Sequence, residues 1–245
     1  MTEKCFAKVQ TQIVDNFIAE IDDLRAGLID TDKPHYDDKA FTLFLLLRFY
    51  ANGSFQFYTN EYMLCELMGI SSRAKNRNSI MLNILKMQED GLVNIYQQPN
   101  KKFFYINLDY EMFMPEKEFV VIYKEEFDNL IADKVKDKLL LLLYCVKKFQ
   151  YKKTGISFTS IETLMDSSHI SKPTICRGLK RLDEVLYVYK ARINFNDGTY
   201  KDVNYYKSCA EGGISVDAVM NIAKKYYRNV KSIIERTKQN DLKGE

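Results

Sequence analysis

The chain has 245 residues, 46% of them hydrophobic and 28% charged, with 36 basic against 33 acidic side chains and a net charge of +3. This balance suits one large or two small globular domains and argues against disorder. Ten Gly and four Pro exclude collagen-like or low-complexity sequence, and the longest apolar run, Leu139 to Val146, falls far short of a bilayer span.

The N-terminus, MTEKCFAKVQ, shows no secretory apolar region, so a cytoplasmic protein is expected. Cys5, Cys65, Cys145, Cys176 and Cys209 are widely spaced with no CxxC, and are expected to be buried, reduced thiols. His35 and His169 stand apart from any cluster with metal-ligand spacing, so neither a metal nor a cofactor is expected. Residues 1–38 carry four basic and nine acidic side chains, which leaves the positive charge to the rest of the chain.

Taken in chain order, residues 5–29 place Phe6, Val9, Ile13, Phe17, Ile21, Leu24 and Leu28 at three- or four-residue steps, the stripe of an amphipathic helix. Phe41 to Tyr50 is a second helix. Thr59 is expected to cap a short third, and Gly69 to supply the turn after it. Ser72 or a neighbour then caps a long helix ending near Asp90-Gly91. Val93–Gln97 and Phe103–Leu108 read as strands, with Pro99-Asn100 at the tip between them. Phe119–Tyr123 reads as a further strand, expected to lie beside that hairpin.

Lys134 to Phe149 is a leucine-rich helix, closed by Lys152-Lys153-Thr154-Gly155. Thr159 with Glu162 gives a T-x-x-E capping box for a short helix over roughly 160–166. Ser167-Ser168-His169 is a turn. Ser171 caps the next helix, with Pro173 in its first turn and Ile175, Leu179, Leu182 and Leu186 as its buried stripe. Tyr187–Phe195 and Tyr200–Tyr206 are strands joined by Asn196-Asp197-Gly198, a hairpin signal. Residues 215–240 carry Val216, Val219, Ala223, Tyr226, Val230 and Ile233 at helical steps. This stripe, like the N-terminal one, either packs on the chain's own core or joins two copies into a homodimer.

A shift of one hundred positions superimposes the two halves without gaps. Leu43 falls on Leu143, Arg48 on Lys148, Tyr58-Thr59 on Phe158-Thr159, Leu64 on Leu164, Ile70-Ser71 on Ile170-Ser171, Arg77 on Arg177 and Leu82 on Leu182. The shared order is helix, short helix, turn, helix, β-hairpin: a winged helix-turn-helix. The fold class expected is α+β, mostly α, with two tandem winged helices and flanking terminal helices. The boundaries are 1–37 for an N-terminal helix, 38–114 and 115–210 for the two winged domains, and 211–245 for a C-terminal helix.

In a helix-turn-helix the second helix of the motif enters the DNA major groove. In the second copy the buried stripe leaves Thr174, Arg177 and Arg181 outward, with Lys172 at the helix start and Lys180 beside the stripe. Arg can pair bidentately with guanine and Thr can touch a thymine methyl. Ser171 and the amides near the helix start suit a phosphate. The first copy places Arg73, Lys75, Arg77 and Asn78 at the equivalent helix. However, Lys75 falls where Ile175 is buried, so backbone contact is the expectation there. Lys101, Lys102 and Lys201 lie on the hairpins within reach of phosphate. Lys224, Lys225, Arg228 and Lys231 form a further basic cluster.

No phosphate-loop, dinucleotide or zinc-protease motif occurs, and no enzyme is expected. Asp22-Asp23 and Asp37-Asp38 read as solvated carboxylates, and Tyr123, Tyr144 and Tyr187 as core.

The segments F-V-V-I-Y-K-E-E-F-D-N-L-I from Phe119, F-T-S-I-E-T-L and I-S-K-P-T-I-C-R-G-L-K-R-L resemble bacterial winged-helix DNA-binding domains. They are similar to those of plasmid replication initiators, phage replisome organisers and DnaD-type proteins of Gram-positive bacteria. The resemblance covers roughly residues 39–208. The second copy ends R-G-L-K-R-L-D-E-V-L-Y, without the glycine that Gly91 supplies in the first. The resemblance implies a sequence-specific binder of double-stranded DNA that marks an origin and recruits replication machinery. The alternatives are a transcriptional regulator of the same fold and a scaffold whose winged helices bind protein. A dimer would need half-sites about 10 bp apart, or a multiple of that.

Overall fold

The computed structural model describes residues 5–97, 99, 101–116 and 118–236. The fold is α+β, and the chain divides after Tyr144 into two compact units.

The first unit opens with β1 (Phe6–Gln10), followed directly by α1 (Thr11–Arg25). The single helix expected over 5–29 is therefore corrected. In F-A-K-V-Q, Phe6 and Val9 satisfy a helical step, but Ala7 and Val9 satisfy strand alternation, and both are buried. Pairing decides between the two periods: β1 runs antiparallel to β5 (Phe119–Tyr123), from Phe6 opposite Tyr123 to Gln10 opposite Phe119. That also corrects the place of β5, which forms this separate two-stranded sheet and does not extend the hairpin. Leu28 lies beyond the end of α1, exposed.

The stripe of α1 is buried inside its own unit. Phe17 packs on Tyr36 and Phe44, with ring centroids 4.5 and 5.9 Å apart, and Phe44 stacks on Phe113 at 4.3 Å. The apolar residues that suggested a dimer seam are thus core residues.

The rest of this unit runs α2 (Ala40–Tyr50), β2 (Gln56–Thr59), α3 (Glu61–Leu67), α4 (Ala74–Glu89), β3 (Val93–Gln97), β4 (Phe104–Leu108), α5 (Tyr110–Phe113), β5, α6 (Lys124–Ile131) and the start of α7 (Lys136–Lys148). The three strands form a sheet in the order β2-β4-β3. One residue of the expected hairpin tip, Asn100, lies outside the described residues.

The second unit takes the end of α7 and continues with β6 (Gln150–Tyr151), β7 (Ile156–Ser157), α8 (Ile161–Ser168), α9 (Lys172–Arg181), a 3-10 turn over Leu182–Glu184, β8 (Leu186–Phe195), β9 (Tyr200–Ser208), α10 (Val216–Tyr226) and β10 (Val230–Glu235). Its sheet order is β10-β8-β9-β7-β6, which contains β7-β9-β8, the counterpart of β2-β4-β3. Helix, strand, helix, helix and hairpin thus recur in the same order with the same sheet neighbours.

The expected helix over 215–240 is also corrected. It stops at Tyr226, and Asn229 takes φ +59°. The β-branched run V-K-S-I-I-E then pairs antiparallel with β8. Val230 and Ile233 fit the helical stripe by spacing, but the free edge of β8 claims them. Residues 237–240 of that expectation lie outside the described residues. Val219 and Ile222 of α10 close the core of this unit with Ile156, Tyr189, Ala191 and Tyr205.

Both short helices are capped one residue later than expected. The Asn60 side chain accepts from the Met63 amide at 2.9 Å, and Ser160 Oγ accepts from the Thr163 amide at 3.1 Å. Thr59, β-branched, ends β2 and is buried, and Thr159 Oγ1 is buried without a hydrogen-bond partner. The turns that follow are equivalent too. Gly69 has φ +59° and His169, one hundred positions on, has φ +53°. Left-handed backbone suits glycine and strains other residues. The first copy thus has the residue the turn favours, and the second holds a histidine there.

Two expectations about buried groups change. Cys65 and Cys145 are buried, but Cys176 and Cys209 are half-buried and Cys5 is exposed. Tyr144 is core, while Tyr123 is half-buried and Tyr187 is exposed on β8.

Candidate nucleic-acid interface

α9, K-P-T-I-C-R-G-L-K-R, contains four basic and no acidic residues. Ile175 and Gly178 face inward, and Leu182 in the following turn is also buried. Ser171 occupies the N-cap position without capping the helix through its side chain. Its hydroxyl instead lies 3.0 Å from Thr174 Oγ1. Lys172, Arg177, Lys180 and Arg181 are exposed, and Thr174 is half-buried. The Arg177 Nε–H donates to the Pro173 carbonyl at 3.3 Å, which steadies the base of a guanidinium that remains in solvent. Leu179, expected in the buried stripe, is only half-buried.

α4 is built differently. It starts two residues later than the hundred-residue shift requires, with Arg73 at the N-cap. Ile80, Asn83 and Met87 are buried with the three-then-four step of Ile175, Gly178 and Leu182, but outside the hundred-residue register. The equivalence of Arg77 with Arg177 therefore does not hold in space. Arg77 Nε lies 3.5 Å from Glu61 Oε2, and its guanidinium sits 4.5 Å over the Tyr62 ring, both on α3. Arg73, Lys75 and Asn78 are exposed.

Further along α4, a polar cluster replaces the expected solvated Asp37. Asn83 Nδ2 donates to Asp37 Oδ1 at 2.9 Å, and the Asp37 amide donates back to Asn83 Oδ1 at 3.0 Å. Ser79 Oγ donates to Asp37 Oδ2. Lys39 Nζ reaches Asp37 at 3.1 Å and Ser79 Oγ at 2.9 Å. Burial pushes the Asp37 carboxyl up, but the Lys39 ammonium, the Ser79 hydroxyl, the Lys39 amide and Asn83 together hold it below the usual range. Asp137, which accepts from Thr42 Oγ1 at 2.5 Å, is raised because burial outweighs that bond and the nearby lysines. At the far end, Lys86 bridges Asp90 and Glu20 at 2.9 and 3.5 Å, and the Tyr36 hydroxyl donates to Asp90 at 2.8 Å. Asp38 and Asp22 pair with Arg25.

On the hairpins, Lys101 and Lys102 are exposed, and the Lys101 carbonyl accepts from Gln97 Nε2 at 2.8 Å. Lys201 is exposed, with its ammonium 5.0 Å from the Tyr227 ring centroid, an aromatic partner supplied by the segment between α10 and β10. Lys224, Lys225 and Arg228 line a shallow concavity at the end of α10. The C-terminal end of a helix dipole favours such cations without any ligand.

Sequence reasoning missed Arg192, whose guanidinium pairs with Asp202 at 2.9 Å and lies 4.1 Å from the Tyr200 ring centroid. The hairpin register, with Arg192 opposite Asp202, was the available signal. Among the described residues no group of His, Cys, Asp and Glu is arranged to hold a metal ion, and no helix is long and apolar enough to cross a membrane.

No family model matches the chain, and no curated protein matches it significantly.

Proposed function

We propose that the chain is a tandem winged-helix protein that binds double-stranded DNA sequence-specifically and marks a plasmid or phage replication origin. The observation that supports this most is α9. It follows a tight turn after a short capped helix, buries a three-residue seam, and turns Lys172, Arg177, Lys180 and Arg181 to solvent with no acid in the helix. A helix of about 10–12 Å diameter fits the B-DNA major groove.

On this reading Arg177 and Arg181 read base edges and Thr174 sits against them. Lys172, Lys180 and the Ser171 hydroxyl meet phosphates. The role of the first copy is backbone contact through Arg73, Lys75 and Asn78, since Arg77 is held by Glu61. Lys101, Lys102 and Lys201 add phosphate contacts from the hairpins. The assignment to replication, with recruitment of replication machinery, rests on the resemblance to plasmid initiators and phage replisome organisers.

The test is fluorescence anisotropy on a duplex selected from random sequence, at several salt concentrations. Specific binding that falls steeply with salt, and is weakened by about 1–3 kcal/mol in Arg177→Ala, supports the reading. Absence of binding at low salt refutes it.

A further inference from the structure

The β2-β4-β3 sheet of the first unit buries Phe57, Thr59, Phe104, Ile106 and Leu108 on one face. By strand alternation the other face carries Gln56, Tyr58, Tyr96, Tyr105, Asn94 and Asn107. The register sets Tyr58 opposite Tyr105 and Tyr105 opposite Tyr96, so three tyrosines cross the sheet in one row. Gln56, Asn107 and Asn94 form the next row. The tyrosines are 50%, 40% and 59% exposed. Phe103 extends the row, stacked on Tyr58 at 5.1 Å, and Tyr58 lies 4.7 Å from Tyr105.

Scattered exposed rings need no explanation, but a contiguous row on a sheet face marks a binding surface. Its charge identifies the partner. Residues 51–60 and 91–108, which hold the three strands and the hairpin connection, contain no Asp and no Glu, whereas Lys101 and Lys102 stand exposed beside the row. Aromatic faces, the exposed amides of Gln56 and Asn94, and cations without acids match bases, base edges and phosphates in turn. A duplex keeps its base faces inside its own stack, so this row cannot use one.

We infer that the open face of this sheet, centred on Tyr58, Tyr105 and Tyr96, binds single-stranded nucleic acid. The row belongs to the first unit, uses none of the residues of α9, and shares only Lys101 and Lys102 with the duplex reading.

The chain contains no tryptophan, so Tyr96→Trp creates a single fluorescent reporter at the end of the row. The experiment titrates the full chain with a labelled oligo-dT of about 15 nucleotides, within the span that such surfaces cover. The expected result is binding by the parent chain, weakened about fivefold or more in Tyr96→Ala. Tyr96→Trp retains affinity, and its emission is quenched as the oligonucleotide is added. Tyr96 is the most exposed ring of the row, so its variants keep the test open if Tyr58→Ala fails to fold. Three results would overturn the inference: no oligonucleotide binding at low salt, affinity unchanged in Tyr96→Ala, or a row that instead holds two copies of the chain together. In the last case Tyr96→Ala would convert a dimer to a monomer without changing oligonucleotide affinity.

Discussion

α4 and α9 follow the same kind of turn in the two units, yet they use their polar side chains in opposite ways. α4 turns them inward and sideways: Arg77 to Glu61, Ser79 and Asn83 to Asp37, Lys86 to Asp90 and Glu20. Those bonds fix the helix to its own unit. α9 has a shorter seam of Ile175, Gly178 and Leu182 and keeps Lys172, Arg177 and Lys180 exposed. A helix fixed through its polar residues has fewer of them for a ligand than one fixed mainly through apolar residues. On the proposed reading, the first helix is mainly structural and the second is the one that recognises DNA.

The sharpest way to break this comparison is to remove the cations of each helix in turn. Arg177→Ala and Arg181→Ala should each cost about 1–3 kcal/mol of specific duplex binding and relax sequence preference. Arg73→Ala and Lys75→Ala should weaken binding less, equally for all sequences, and lower the salt slope. Anisotropy titrations on matched and mismatched duplexes measure both effects. Equal effects from the two helices would erase the distinction.

Stability gives the reverse contrast. Asp37→Ala removes the acceptor of Ser79, Asn83 and Lys39 and should cost about 2–3 kcal/mol in urea unfolding. Arg177→Ala should leave stability within about 0.5 kcal/mol.

The pH dependence follows from the two carboxyls. The Asp37 pKa is lowered in the folded state, so its contribution is present above the ordinary carboxylate range and is lost as pH falls through the folded value. That of Asp137 is raised, so its ionisation costs stability progressively as pH rises from the ordinary carboxylate range to the folded value, and fully above it. Asp137→Asn should therefore raise the unfolding midpoint at neutral pH, with the gain over the parent closing in acid. A lowered midpoint at neutral pH would contradict this.

The smallest effects concern the caps. Asn60→Ala and Ser160→Ala should each cost about 1 kcal/mol. Thr159→Val should be neutral or slightly stabilising, because it replaces a buried hydroxyl that has no hydrogen-bond partner. A larger loss in Thr159→Val than in Ser160→Ala would return the cap to the threonine.

Much of the repeat is legible in the sequence, because its helices are long apolar stripes and its hairpins carry turn signals such as Asn196-Asp197-Gly198. The two terminal segments differ from the helices their spacing predicts for one reason. Phe6 with Val9, and Val230 with Ile233, fit both a helical and an extended period. Only the partners β5 and β8, distant in sequence, decide between them. The caps slipped by one residue because Thr-Asn and Thr-Ser each offer two hydroxyl or amide acceptors, and the β-branched threonine belongs to the strand. Within the candidate site, the exposure of α9 follows from spacing alone. The commitment of Arg77 does not, since Glu61 and Tyr62 lie a full helix away in the chain. The tyrosine row was invisible for the same reason: its members come from three strands and meet only through register.

The most direct measurement of the central claim is selection of bound duplexes from a random library by the parent chain and by an Arg177→Ala, Arg181→Ala double variant. Enrichment of one sequence element by the parent, absent from the variant, is the expected result. Identical enrichment by both proteins, or retention of no DNA by the parent at low salt, would contradict α9 as the reading helix.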